Sequence, residues 1–218
     1  MTLLFPSPTL RSASAWHGLR IGLLGGSFNP PHEGHLHISE VALRTLGLDC
    51  VWWLVSPQNP LKKPDDTADY GRRYDWCSAL IGHNPRIVLS DLERQIGTNR
   101  TFDTLRLLLP RFPQTEFIWL AGFDNALSFH RWHRWRDILG LVATGFVARP
   151  PALQMVRKVP LRLDFGQQHI TLKTAARPVL TPRTTYWITS QPMNAASSTR
   201  LRQIGSENNL FAQTAAEA

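Results

Sequence analysis

A chain of 218 residues is long enough to bury one sizeable core, and one domain is the expectation. No apolar stretch reaches the length of a membrane span, and Cys50 and Cys77 lie far apart with no Cys-x-x-Cys pattern, which fits reduced thiols in a cytoplasmic protein with no membrane partner. The formal charge of +8 calls for an anionic partner, and because the arginines are scattered along the chain, polyphosphate nucleotides are expected and nucleic acid is not.

Residues 1–18 are rich in Ser and Pro, lack the apolar centre of a secretory signal and are expected to form a flexible or loosely docked extension. Arg20–Leu24 reads as a buried strand, Gly34–Leu46 as a helix and Val51–Val55 as a second strand. A helix is expected over Tyr70–Gly82, a strand over Arg86–Leu89, a helix over Thr101–Arg111 and a strand over Glu116–Leu120. Asp124–Leu139 reads as helical, in one or two pieces, followed by a strand over Val142–Ala148. Gln168–Leu172 and Thr185–Thr189 are candidate strands, and Ser197–Gly205 a short helix opened by a Ser cap. This alternation predicts an α/β fold: a doubly wound, mostly parallel, Rossmann-like sheet within residues 19–205, with 206–218 as a mobile tail. Ligands of such sheets sit beyond the carboxyl ends of the strands. The segments Gly25–His35, Pro57–Lys63 and Gly122–Asp124, and Arg149, all follow strands and share that rim.

The run Gly25-Gly26-Ser27-Phe28-Asn29-Pro30-Pro31-His32-Glu33-Gly34-His35 carries the strongest chemistry. Glycines at a strand-to-helix junction let a phosphate approach the backbone, and the helix start offers unpaired N–H groups. His32 and His35 are three apart and face the same way if both lie in the first turn. A helix cap with a surface histidine is the plain alternative, and zinc is a weaker one, since no Cys or carboxylate stands at ligand spacing nearby. Ser198 and Thr199 at a second helix start, with Arg202 one turn later, make a further anion site. Thr101 and Asp103 read equally as a helix cap with an acid in the first turn, and Asp124 as another cap. Lys62 and Lys63 read as a solvated loop or a pyrophosphate contact, and Asp65, Asp66 and Asp69 as a solvated acidic loop. Along the basic-aromatic cluster His130–Arg136 and the Phe129 before it, Phe129, Trp132 and Trp135 repeat at helical spacing, so one stripe there is expected in the core.

The Gly25–His35 run resembles the GG-T/S-F-D/N-P-x-H-x-G-H signature of the nucleotidylyltransferase superfamily. The later segments Trp52–Lys62, Thr101–Leu105, Gly122–Asn125 with Phe129–Trp132, Ala148–Pro150 and Ser197–Arg202 are similar, in order and spacing, to those of bacterial nicotinate-nucleotide adenylyltransferases. The resemblance implies transfer of the adenylyl group of ATP to nicotinate mononucleotide, with Mg²⁺ accompanying ATP. It implies that His32 and His35 are catalytic. Gly25, Gly26, Ser27, Phe28, Ser198, Thr199 and Arg202 would bind ATP and its phosphates. Lys62, Thr101, Asp124, Trp132 and Arg149 would bind nicotinate mononucleotide, with Trp132 stacked on the pyridine ring. Asn29 stands where many members carry Asp, Arg100 where a Tyr is common, and Phe123 where a smaller residue is usual. Another transferase of the superfamily, using phosphopantetheine or CTP, and a non-catalytic nucleotide or nucleic-acid binder are the competing readings; a homo-oligomer is left open.

Overall fold

The computed structural model describes residues 5–57, 67–148 and 159–189. In chain order its strands are β1 (Arg20–Gly26), β2 (Cys50–Val55), β3 (Ile87–Ser90), β4 (Glu116–Gly122), β5 (Ala143–Val147), β6 (Gln168–Leu172) and β7 (Thr184–Ile188). They form one sheet in the order β3-β2-β1-β4-β5-β7-β6, and every pairing is parallel. The register sets Gly26 beside Val55 and Gly122 beside Val147, so β1, β2, β4 and β5 end on one rim. The chain order reverses between β1 and β4, where two successive crossovers depart in opposite directions.

Both faces of the sheet are covered at its centre, which is why β1, β2, β4 and β5 are near-continuous apolar runs, whereas the edge strand β6 is more polar and only partly buried. Along β2, Val51, Trp53 and Val55 face one cluster, whereas Cys50, Trp52 and Leu54 face the other. Helices α1 (Glu33–Thr45) and α2 (Tyr70–Ile81) cover the first face through Ile38, Val41, Ala42 and Cys77. Helices α3 (Leu92–Gln95), α4 (Thr101–Leu108), α5 (Phe123–Ser128) and α6 (Trp135–Leu141) supply Leu92, Phe102, Leu105, Ala126, Ile138 and Leu139 to the second. Both cysteines are free and buried, and burial pushes each thiol up to about 12. Among the described residues no helix is long and apolar enough to cross a membrane.

Several expected elements change on packing. Trp16 is fully buried, stacked on Phe5 and edge-on to Trp52, at the end of a 3-10 turn, Ala13–Trp16. The extension from residue 5 onward is therefore seated on the core instead of hanging loose, because an indole of that size gains more by burial than a short polar segment loses in entropy. The 124–139 segment breaks after Ser128: a 3-10 turn, Phe129–Arg131, leads to extended Trp132, and Arg134 takes a left-handed φ of 54° before α6 begins. Thr101–Arg111 likewise ends in a 3-10 turn that contains Pro110. Asp69, expected in a solvated acidic loop, is the N-cap of α2 and accepts from the Gly71 N–H at 2.8 Å; Asp65 and Asp66 lie outside the described residues.

Candidate active site

The loop after β1 is built on packing as much as on freedom for a ligand. A Cβ on Gly25 would stand 2.6 Å from the Trp119 ring, so Gly25 is glycine because an indole from β4 covers it. A Cβ on Gly26 would press on the Phe28 ring at 3.3 Å. Phe28 itself is left-handed, with φ 45°, a conformation that costs a non-glycine residue about 1–2 kcal/mol. Its buried ring stacks on Trp53, with centroids 5.0 Å apart, and holds that turn. The Phe28 side chain is thus a packing group, and what it can offer a phosphate is its backbone N–H.

His32 and His35 meet at the start of α1. His32 is the N-cap, its Nδ1 accepting from the Gly34 N–H at 3.1 Å, and the His35 Nδ1 accepts from the His32 N–H at 3.2 Å. The cap and the paired-imidazole arrangement are therefore the same structure. The two rings lie with centroids 3.9 Å apart. A ring whose Nδ1 accepts a hydrogen bond carries its proton on Nε2 when neutral, so both histidines are set as Nε2–H donors. Trp53 supports the pair from β2: its Nε1 donates to Ser39 Oγ, which donates to the His35 carbonyl. A pair of fixed donors beside the N-terminus of a 13-residue helix can stabilise charge on phosphate oxygens without any proton transfer.

The second half of the rim lies across Trp119. That ring, seated on Gly25, meets Trp132 edge-on with centroids 6.3 Å apart. Trp132 is half-buried, tilted on Phe129 at 4.9 Å, and Trp135 reaches the same Phe129. The three aromatics converge because the chain breaks at residues 132–134, not because they form one helical stripe. Arg134 lies 4.0 Å above the Phe102 ring, and His133 meets Phe102 edge-on, so the start of α4 sits beside the Trp132 turn. Thr101 is the first residue of α4, whose N-cap is Arg100 with no side-chain cap bond; the cap reading for Thr101 is therefore incorrect. Asp124 lies exposed in the first turn of α5, whose N-cap is Gly122. The Phe123 ring turns into the core and packs edge-on against Trp187, away from the rim. Lys62, Arg149, Ser198, Thr199 and Arg202 lie outside the described residues, as does the Ser197–Gly205 helix.

Three buried polar residues, of which only Asn29 was singled out in the sequence and none was given a role, hold the rim together. Arg73 of α2 is 1% exposed and donates to four backbone carbonyls; a charged residue in the run Gly71-Arg72-Arg73 looks like a solvated helix face until the fold buries it. The Asn29 side chain accepts from the Ala68 N–H at 3.1 Å. Glu93, 3% exposed on α3, accepts from Thr104 Oγ1 at 2.9 Å and from Ser56, and burial pushes its carboxyl up to about 7. Among the described residues, no group of three or more His, Cys, Asp or Glu side chains is placed to hold a metal ion.

A paired-histidine helix start at the switch point of a parallel sheet defines a nucleotide-transferring α/β protein. The family described as cytidylyltransferase-like matches residues 23–204, and the chain belongs to that family. It is 43% identical over 189 residues to the probable nicotinate-nucleotide adenylyltransferase of Parvibaculum lavamentivorans, covering 86% of this chain and 93% of that protein. It is 44% identical over 185 residues to the probable nicotinate-nucleotide adenylyltransferase of Cereibacter sphaeroides, covering 85% of this chain and 97% of that protein. Its fold is similar to that of Plasmodium falciparum nicotinic acid mononucleotide adenylyltransferase complexed with NaAD, at TM-score 0.63 and 18% identity over 85% of this chain and 83% of that one.

Proposed function

We propose that this chain transfers the adenylyl group of ATP to nicotinate mononucleotide, releasing pyrophosphate and forming nicotinate adenine dinucleotide. The observation that carries the reading is the His32–His35 pair, with each Nδ1 engaged by a backbone N–H, in a chain 43–44% identical to proteins bearing that name. The phosphate oxygen of the mononucleotide attacks the α-phosphorus in line, the bond to the bridging oxygen breaks, and pyrophosphate leaves. The attacking group is already an anion, so the protein's work is alignment and stabilisation of charge on the phosphoryl oxygens and leaving group. His32 and His35 donate through Nε2 to those oxygens. Backbone N–H groups from Gly25 to Phe28 add to them, as do Ser198, Thr199 and Arg202 at a second anion site. Mg²⁺ accompanies ATP on its phosphate oxygens as part of the substrate.

Trp132 stacks on the pyridine ring, and backbone donors at the start of α4 near Thr101 meet its carboxylate. Asp124 takes a ribose hydroxyl, and Lys62 and Arg149 take part in binding the mononucleotide. Donors that satisfy both carboxylate oxygens leave a carboxamide NH₂ facing another donor, so the acid is favoured over the amide by tenfold or more, about 1.4 kcal/mol per decade. Comparing kcat/KM for nicotinate and nicotinamide mononucleotides at fixed ATP and Mg²⁺, by pyrophosphate release, tests this. Equal use of the amide removes the acid-specific assignment; no turnover with either removes the function.

A further inference from the structure

We propose that Arg73 is a positioning residue for adenylyl transfer: with Asn29 it braces the loop after β1 against the end of β2 and so aims the backbone donors that meet the triphosphate. The proposal rests on the reading of the Gly25–His35 loop as the phosphate site. Arg73 stands in the first turn of α2, and its guanidinium reaches back to the carboxyl ends of the two neighbouring strands. Nη1 donates to the Ser27 carbonyl at 2.7 Å and to the Ser56 carbonyl at 2.8 Å. Nη2 donates to the Pro57 carbonyl at 2.8 Å, and Nε to the Ala68 carbonyl at 2.9 Å. Ala68 closes the brace, since its N–H is the one that Asn29 Oδ1 accepts.

Two consequences make this more than a structural staple. Pinning the Ser27 carbonyl toward Arg73 fixes the Phe28 N–H, which points the opposite way across the same planar peptide. That residue is the left-handed one, and a strained turn persists only where its surroundings hold it on several sides. Here Arg73 holds the preceding carbonyl, Trp53 the Phe28 ring, and Ala68 the following side chain. The second consequence is electrostatic. Carbonyls of Ser27, Ser56 and Pro57 converge on one point beneath the rim, and their negative ends would repel a polyphosphate. Among the described residues Arg73 makes no ion pair, so its charge is shared among these dipoles. A lysine keeps the charge but cannot span four acceptors in a planar fork.

The test is Arg73→Lys, with Asn29→Ala as the second variant, each confirmed folded by circular dichroism. We measure the ATP Kd by calorimetry without the second substrate, then kcat and the KM for nicotinate mononucleotide. For Arg73→Lys the expected result is an ATP Kd raised tenfold or more and kcat lowered thirtyfold or more, with the nicotinate mononucleotide KM within threefold of wild type. Asn29→Ala is expected to raise the ATP Kd about fivefold with the same KM unchanged, and it carries the test if Arg73→Lys does not fold. ATP affinity and kcat within threefold of wild type in the folded variants overturn the proposal. So does a loss shared equally by ATP and the mononucleotide, which marks a residue that only holds the fold. Wild-type protein that binds ATP but does not adenylylate nicotinate mononucleotide counts against the proposed function, while the ATP arm still decides on Arg73.

Discussion

His32 joins two jobs that one substitution can separate. Its Nδ1 caps α1 by accepting from the Gly34 N–H, and its Nε2 is a donor proposed to face phosphate oxygens. His32→Ala deletes both. Loss of the cap leaves a donor unpaired at a helix start where His32 is only 6% exposed, at a cost of about 1 kcal/mol. In a chain of this size that lowers Tm by about 2–4 °C. Loss of a donor used in the transition state costs a further ~3–4 kcal/mol of activation free energy, or about 10²–10³ in kcat. His32→Asn separates the terms, because the Asn oxygen caps well but ends short of the Nε2 position. We expect His32→Asn to melt within about 1 °C of wild type, yet to lose kcat as severely as His32→Ala. Thermal denaturation and pyrophosphate release from ATP with nicotinate mononucleotide measure the two quantities side by side. An Asn variant that regains both stability and activity to within tenfold of wild type would show that His32 only caps, and would refute the donor role.

Trp16→Ala should cost about 3–5 kcal/mol in urea denaturation, since the indole is wholly buried between Phe5 and Trp52; a loss under about 1 kcal/mol means the extension is not seated there. Gly25→Ala should lower stability by about 1–3 kcal/mol through the Trp119 clash, and Gly25→Ala with Trp119→Phe should recover part of it; no recovery would place the constraint elsewhere. Glu93 has a folded-state pKa raised from 4.5 to about 7, so its burial penalty is absent below about 4.5, grows as pH rises, and is complete above about 7. That rise corresponds to on the order of 3 kcal/mol, and Glu93→Gln should flatten this part of the stability–pH curve; an unchanged slope sinks the assignment.

Period and punctuation in the sequence carry much of the architecture. Apolar runs such as Val51–Val55, too short for a helix and rich in Val and Trp, read as strands covered on both sides, and the glycine and proline signals between them place the turns. The His-x-x-His pair at a strand-to-helix junction was legible from its spacing, but His32 stands in extended backbone ahead of the first turn, and the rings meet because the two residues occupy the N-cap and N3 positions of a capping box. Local sequence also set the rim, because every parallel strand must end facing the same way.

What stayed hidden depended on residues far apart in the chain. Nothing in the order Gly71-Arg72-Arg73 says which arginine is solvated; only the convergence of carbonyls from residues 27, 56, 57 and 68 makes a buried guanidinium affordable at Arg73. Gly25 looked like a concession to phosphate until Trp119, 94 positions later by the numbering, proved to lie on it. Trp132 and Trp135 shared a helical spacing, yet they converge through a break at Arg134 that periodicity cannot encode. Phe123 fell in the motif but turned inward, since the large apolar ring gains more against Trp187 than on the rim. Spacing along a chain fixes neighbours within one turn or one strand, whereas burial, and with it the pKa of Glu93 and the partners of Arg73, is a property of surfaces that meet only when the sheet is assembled.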